Sequence, residues 1–220
     1  MHRIEVAGTT LILTAQRAAV WPARRTLLVA DAHFGKAASF CARGVPVPEE
    51  TTQANLDALD ALVAAHGVTR IVFLGDFMHA REAHAPATLA SLRRWRAHHH
   101  ALHLVLIAGN HDAHAGAPPA DLAFECVEAP FLDGPFALCH HPAPVMDKYV
   151  LAGHLHPAYR LSGRNDAVPC PASGSARPSV CCRPSATSPA HASSARKPAI
   201  ASTSPPGTAC TASLDGALPE

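Results

Sequence analysis

A chain of 220 residues with 48% apolar content is long enough for one sizeable hydrophobic core, and its length favours a single domain over two. A formal net charge of +1 argues against the strongly basic field of a dedicated nucleic-acid binder, without excluding a nucleic-acid substrate. Seven cysteines, an odd number without metal-knuckle spacing, argue against a disulfide framework.

The chain opens Met1-His2-Arg3-Ile4-Glu5, which lacks the uninterrupted apolar stretch of a secretory signal. No window approaches a membrane span, so the expectation is a cytoplasmic protein with no membrane association. The first predicted strand is the apolar run Thr26 to Ala30. A helix follows from Thr51 as N-cap, with Leu56, Leu59, Leu62 and Val63 on one face and Gly67 as its stop. Arg70 to Leu74 is a second strand. A second helix runs from Ala85 to about His98, with Leu89, Leu92 and Trp95 inward and Arg93, Arg94 and Arg96 largely outward. Further short apolar runs bounded by Gly, Pro or Asp read as buried strands at His103 to Ala108, Phe124 to Val127, Phe136 to Cys139 and Tyr149 to Ala152. Strand alternating with helix implies parallel crossovers, hence an α/β core with ligand groups at the carboxyl ends of its strands.

Five short motifs occupy those ends: Asp31-Ala32-His33, Gly75-Asp76, Gly109-Asn110-His111-Asp112, His140-His141 and Gly153-His154-Leu155-His156. Each alone reads as an ordinary turn. Together they supply carboxylate, imidazole and one amide oxygen, the mixture that manganese, iron and zinc prefer over calcium or magnesium. Asp31 and His33 can reach one metal if the backbone turns as the strand ends. Asp76 can bridge two, since one carboxylate offers two oxygens. Asn110 adds an amide oxygen, while His140, His154 and His156 add imidazole nitrogens. The chain therefore reads as a phosphoesterase using two divalent metal ions, with manganese preferred over iron or zinc. His98-His99-His100 reads as a solvated helix terminus, and His66, His103 and His114 as surface or capping residues.

The order and spacing of these motifs resemble the calcineurin-like metallophosphoesterase superfamily. Asp31-Ala32-His33-Phe34-Gly35-Lys36, Gly75-Asp76-Phe77-Met78-His79 and Cys139-His140-His141-Pro142 are more narrowly similar to the bacterial ligase-associated DNA damage response endonucleases. The resemblance covers residues 1 to about 165 and implies a four-layer sandwich, two mixed sheets flanked by helices. It also implies a DNA substrate and ligase, helicase and exonuclease partners in repair. Carried over by motif, one metal is held by Asp31, His33, Asp76 and His156, and the other by Asp76, Asn110, His140 and His154. His140 is taken over the adjacent His141 because the position directly following the strand matches the family's isolated His, while the doublet leaves His141 open as the alternative. The resemblance further implies attack on phosphorus by a hydroxide between the metals, His111 stabilising charge or protonating the leaving group, and Asp112 orienting His111. Lys36 and Arg43 are candidates for phosphate contact. The alternatives are a small-molecule phosphodiesterase or phosphomonoesterase, and an inactive truncated product.

Beyond Tyr159 no aromatic residue remains, and Ala, Ser and Pro dominate. Residues 166–220 therefore read as a disordered tail behind a 1–165 metallophosphoesterase domain. A second explanation is a frame shift between about Gly163 and Pro169. The frame starting at each third codon base admits LPCFWFGAPVGVLPAFGDFTG across Pro169 to Ala190, apolar and aromatic where the chain is not. On that reading the C-terminal strands of the second sheet are lost.

Overall fold

The computed structural model describes residues 1–16, 18–45, 50–155, 158–162 and 167–171. Before the first predicted strand the chain forms an antiparallel meander that the sequence pattern does not announce, β1 (His2–Val6), β2 (Thr9–Leu13) and β3 (Ala18–Trp21). Its first turn is Ala7-Gly8, with φ of 48° and 71°. Two residues of positive φ suit the right-handed twist of a hairpin, but Ala-Gly is a weaker cue than Asn-Gly. β3 then pairs antiparallel with β4 (Thr26–Val29).

From β4 onward the expected crossovers appear. β4, β5 (Arg70–Phe73), β6 (His103–Ile107) and β7 (Phe124–Val127) run parallel, completing a seven-stranded mixed sheet in sequential order. Between β4 and β5 lie a short helix α1 (Lys36–Ala42), absent from the sequence reading, and α2 (Glu50–His66). α2 begins one residue before the expected Thr51 cap. Gly67, at φ 57°, ends it, and Val68 N–H donates to the Val63 carbonyl at 3.2 Å, the closing bond of a Schellman turn. α3 (Pro86–His98) starts with proline at a position that needs no hydrogen bond. Arg96 departs from the outward expectation: its guanidinium turns back to the His99 and Leu102 carbonyls, at 2.7 and 2.9 Å. His99 is likewise more than a solvated terminus, since its Nε2 lies 2.6 Å from Asp60 Oδ1 on α2.

A second mixed sheet contains β8 (Phe131–Asp133), β9 (Phe136–Cys139) and β10 (Tyr149–Ala152), ordered β10-β9-β8. The alternation of side chains along the central strands builds two cores. Leu27, Ile71, Phe73 and Leu104 pack with Leu56, Leu59, Leu62, Leu92 and Trp95 from the helices. Leu28, Val72, Leu74 and Val105 pack instead with Phe136, Leu138 and Leu151 of the second sheet. The described residues thus form helices, large sheet and small sheet; a second helical layer is not among them. By itself, β11 (Ala158–Ser162) forms an antiparallel hairpin with β12 (Ala167–Pro171), which falls inside the stretch read as tail. No helix among the described residues is long and apolar enough to cross a membrane.

Candidate metal centre

Parallel strands bring their carboxyl ends to one edge, and a short helix, α4 (Asn110–Ala115), opens just beyond β6. The loops leaving β4 and β5 stay linked past the strands: His33 N–H donates to the Asp76 carbonyl and Phe34 N–H to the Phe77 carbonyl, both at 2.8 Å. Four candidate ligands have left-handed backbones, Asp31 at φ 49°, His33 at 46°, Asp76 at 52° and His154 at 65°. That conformation costs non-glycine residues on the order of 1–3 kcal/mol each. Its concentration at these four residues marks a site where the surrounding structure overrides local preference.

The side chains converge. Asp76, 2% exposed, turns Oδ2 toward His33 Nε2 at 3.8 Å and Oδ1 toward His140 Nε2 at 3.4 Å. Ligand atoms of Asp31, His33 and Asp76 lie within 4.8 Å of one another, as do those of His140, His141 and His154. His140 is buried; its Nδ1 lies 2.9 Å from the Leu74 carbonyl and its Nε2 2.8 Å from Asn110 Oδ1. A carbonyl oxygen only accepts, so the Leu74 carbonyl takes its hydrogen bond from Nδ1. Nε2 is the nitrogen turned toward Asn110 Oδ1 and Asp76 Oδ1, so three candidate ligand atoms face one another there. His141 is exposed, and its ring packs on His154 with centroids 4.1 Å apart. His154 N–H donates to both oxygens of Asp31, at 3.0 and 3.1 Å, which joins the first motif to the last. His156 lies outside the described residues.

The motif glycines belong to the site through space. A β-carbon on Gly75 would stand 2.2 Å from His140 Nδ1, and one on Gly109 would stand 2.3 Å from Asp76 Oδ1. Neither side chain could keep its place beside alanine.

Burial holds the His33 imidazole down to about 3, with the Asp76 carboxylate opposing the shift and His111, His79 and Lys36 adding to it. Burial also lowers His79 and His154, helped by neighbouring imidazoles. Neutral imidazole is the form that binds a metal. Carboxylate, imidazole and one amide oxygen facing inward, with these rings kept neutral, fit a borderline divalent cation.

The remaining site residues fall into place around this centre. His111 N–H donates to Asp76 Oδ1 at 3.0 Å, and its Nδ1 lies 2.7 Å from the His79 carbonyl. That carbonyl therefore orients the His111 ring. Asp112 is engaged elsewhere: it accepts from Gly109 N–H at 3.0 Å and Met78 N–H at 2.9 Å, tying the start of α4 to the loop after β5. Burial raises its carboxyl above the usual range, while the Met78 and Gly109 N–H groups oppose that shift. His79 was not singled out from the sequence, yet it joins a cluster with His33 and His111 and stacks on His111 with centroids 5.0 Å apart. Its sequence signal is its place at the end of the Gly75-Asp76-Phe77-Met78-His79 stretch, three residues beyond Asp76. Lys36 begins α1, with Nζ 5.9 Å from the Phe40 ring centroid, and its charge acts on His33 and His79. Arg43 follows α1 and acts on His79.

This is an α/β protein with a candidate metal centre at the ends of its parallel strands. Among solved structures the chain is similar to Pseudomonas putida nuclease MPE, at 49% identity, 76% coverage of this chain, 79% coverage of that one, and a TM-score of 0.66. The chain belongs to the family of that nuclease. No family model matches the chain, and no curated protein matches it.

Proposed function

We propose that this chain is a metal-dependent nuclease of the calcineurin-like superfamily, hydrolysing phosphodiester bonds of DNA in a cytoplasmic repair context with ligase, helicase and exonuclease partners. Membership of the family of a nuclease supports the reaction class. One observation carries the two-metal reading: the carboxylate of Asp76 directs one oxygen to His33 and the other to His140. The first ion would be held by Asp31, His33, Asp76 and His156, and the second by Asp76, Asn110, His140 and His154. When bound, two ions of manganese, iron or zinc supply Lewis acidity, which lowers the pKa of water and neutralises charge on phosphate oxygens.

The chain's own residues do the rest. The His79 carbonyl fixes a proton on His111 Nδ1, leaving Nε2 to hold or release the proton needed by a departing oxygen. Asp112 positions: it holds Gly109 and Met78, and through them Asn110 and the loop bearing Asp76. Lys36 and Arg43 add positive charge on the His79 side, where a phosphodiester can approach.

The test is manganese-dependent hydrolysis of bis(p-nitrophenyl) phosphate and nicking of plasmid DNA. Asp76→Asn should lower both by roughly 100-fold or more. Activity that survives chelation, or is indifferent to Asp76→Asn, would sink the two-metal reading.

A further inference from the structure

Beside the metal centre, and sharing Asp31 with it, lies a cleft of about 290 Å³ between the end of β4 and α2. One face of α2 supplies Asn55, Ala58, Leu59 and Leu62, residues separated by three or four positions and therefore aligned on one side of the helix. Gln16, at the turn between β2 and β3, also lines it. Among the described lining residues Asp31 alone is charged.

We propose that this cleft receives the nucleobase of the nucleotide that presents its phosphate to the metal centre. The proposal rests on the nuclease reading and names where its substrate sits. Three features select a base. First, the shared wall at Asp31 puts an occupant next to the phosphate that the centre would bind. Second, the volume lies at the lower edge of the roughly 300–1,000 Å³ typical of small-molecule sites, which suits one base and its sugar rather than a duplex. Third, the lining combines aliphatic walls and Phe34 with two neutral carboxamides and, among the described residues, no cationic side chain, so it suits a flat heterocycle with a polar edge better than a second phosphate. Asn55 Nδ2 donates to the Ala32 carbonyl at 3.4 Å. That bond uses one donor of the amide and leaves Oδ1 and a second N–H for a base edge. Carboxamides pair with base edges because each offers a donor beside an acceptor.

The test separates the cleft from the metal centre. Binding of 2-aminopurine riboside 5′-monophosphate is followed by its fluorescence in the presence of chelator, with wild-type protein, Ala58→Trp and Asn55→Ala. Turnover of methyl p-nitrophenyl phosphate, which has no base, is followed with manganese. Saturable binding by wild type is expected, weakened about tenfold or more by Ala58→Trp, which fills the cleft, and severalfold by Asn55→Ala. Both variants should keep the wild-type melting temperature within a few degrees and turn over the methyl ester within about twofold of wild type. Absent saturable binding, or an unchanged Kd in Ala58→Trp, would overturn the base site. Saturable binding that Ala58→Trp weakens, with no methyl ester turnover, would uphold the cleft while removing the nuclease reading.

Discussion

Gly109→Ala isolates the part played by space at the candidate metal centre. Gly109 has φ −98°, which any residue adopts, so alanine carries no backbone penalty there. The added carbon would lie 2.3 Å from Asp76 Oδ1 and 2.5 Å from Asp76 N. Nonbonded contacts are optimal near 3.5–4.0 Å, so one side must retreat by on the order of 1 Å. The Asp76 backbone is itself tied to the first motif, because its carbonyl accepts from His33 N–H. A shift large enough to admit alanine therefore moves two candidate ligands. Metal sites tolerate about 0.2 Å. The expected result is an overpacking cost of roughly 1–3 kcal/mol in thermal unfolding and a manganese midpoint raised by about 10–100-fold or more. Gly67→Ala is the control: its φ of 57° carries strain of about 1 kcal/mol, but nothing lies within 4 Å of the new carbon, so its manganese midpoint should match wild type. A Gly109→Ala protein that titrates with manganese as wild type does would refute this role for Gly109.

Two further outcomes follow from the same geometry. His140→Ala should abolish manganese-dependent hydrolysis of bis(p-nitrophenyl) phosphate, whereas His141→Ala, removing an exposed ring, should retain it within about tenfold; equal losses would mean that the doublet is not divided as the burial indicates. In metal-free protein, the lowered folded-state pKa of His33 means that the unfolded chain binds the extra proton between pH 6.5 and about 3. Stability linked to His33 is therefore present above pH 6.5 and lost as pH falls toward 3. The melting temperature should drop through that window, and His33→Gln should flatten the slope; an identical slope in the variant would contradict it.

The parallel half of the fold was legible because its strands are buried on both faces and read as continuous apolar runs, such as Ile71-Val72-Phe73-Leu74. The amino-terminal meander was not. Its Ala-Gly turn is a weak cue, and His2–Val6 carries one buried residue, Val6, too little alternation to announce a strand. α1 was hidden behind the Gly35-Lys36 turn signal: Gly35, at φ 72°, is the N-cap and not a loop centre. The convergence of Asp31, His33 and Asp76, and of His140 and His154, was legible in the joint pattern of the strand-end motifs, since each motif alone reads as a turn. The role of Asp112 was not readable, because a carboxylate beside a histidine looks the same in sequence whether it orients that ring or caps a helix. The structure gives its two oxygens to Gly109 and Met78.

The second sheet raises the question of what completes it. Among the described residues β10 pairs with β9 alone, yet Val150, Leu151 and Ala152 are 1% exposed or less. No described strand lies on the outer side of β10, and an apolar strand at the edge of a sheet is managed in native proteins by a covering neighbour. The residues from about Gly163 onward are poor in strand formers, whereas the alternate frame across Pro169 to Ala190 is rich in them. We propose that a single-base insertion or deletion separates this chain from the segment that pairs with β10. A chain restored to the alternate frame should melt higher and aggregate less. It should also hydrolyse bis(p-nitrophenyl) phosphate with manganese at a higher rate per molecule, because the β10 end carries His154 and, beyond it, His156. Equal stability and activity in both chains would show that residues 1 to about 165 suffice, and stop codons through that stretch of the alternate frame would remove the shift altogether.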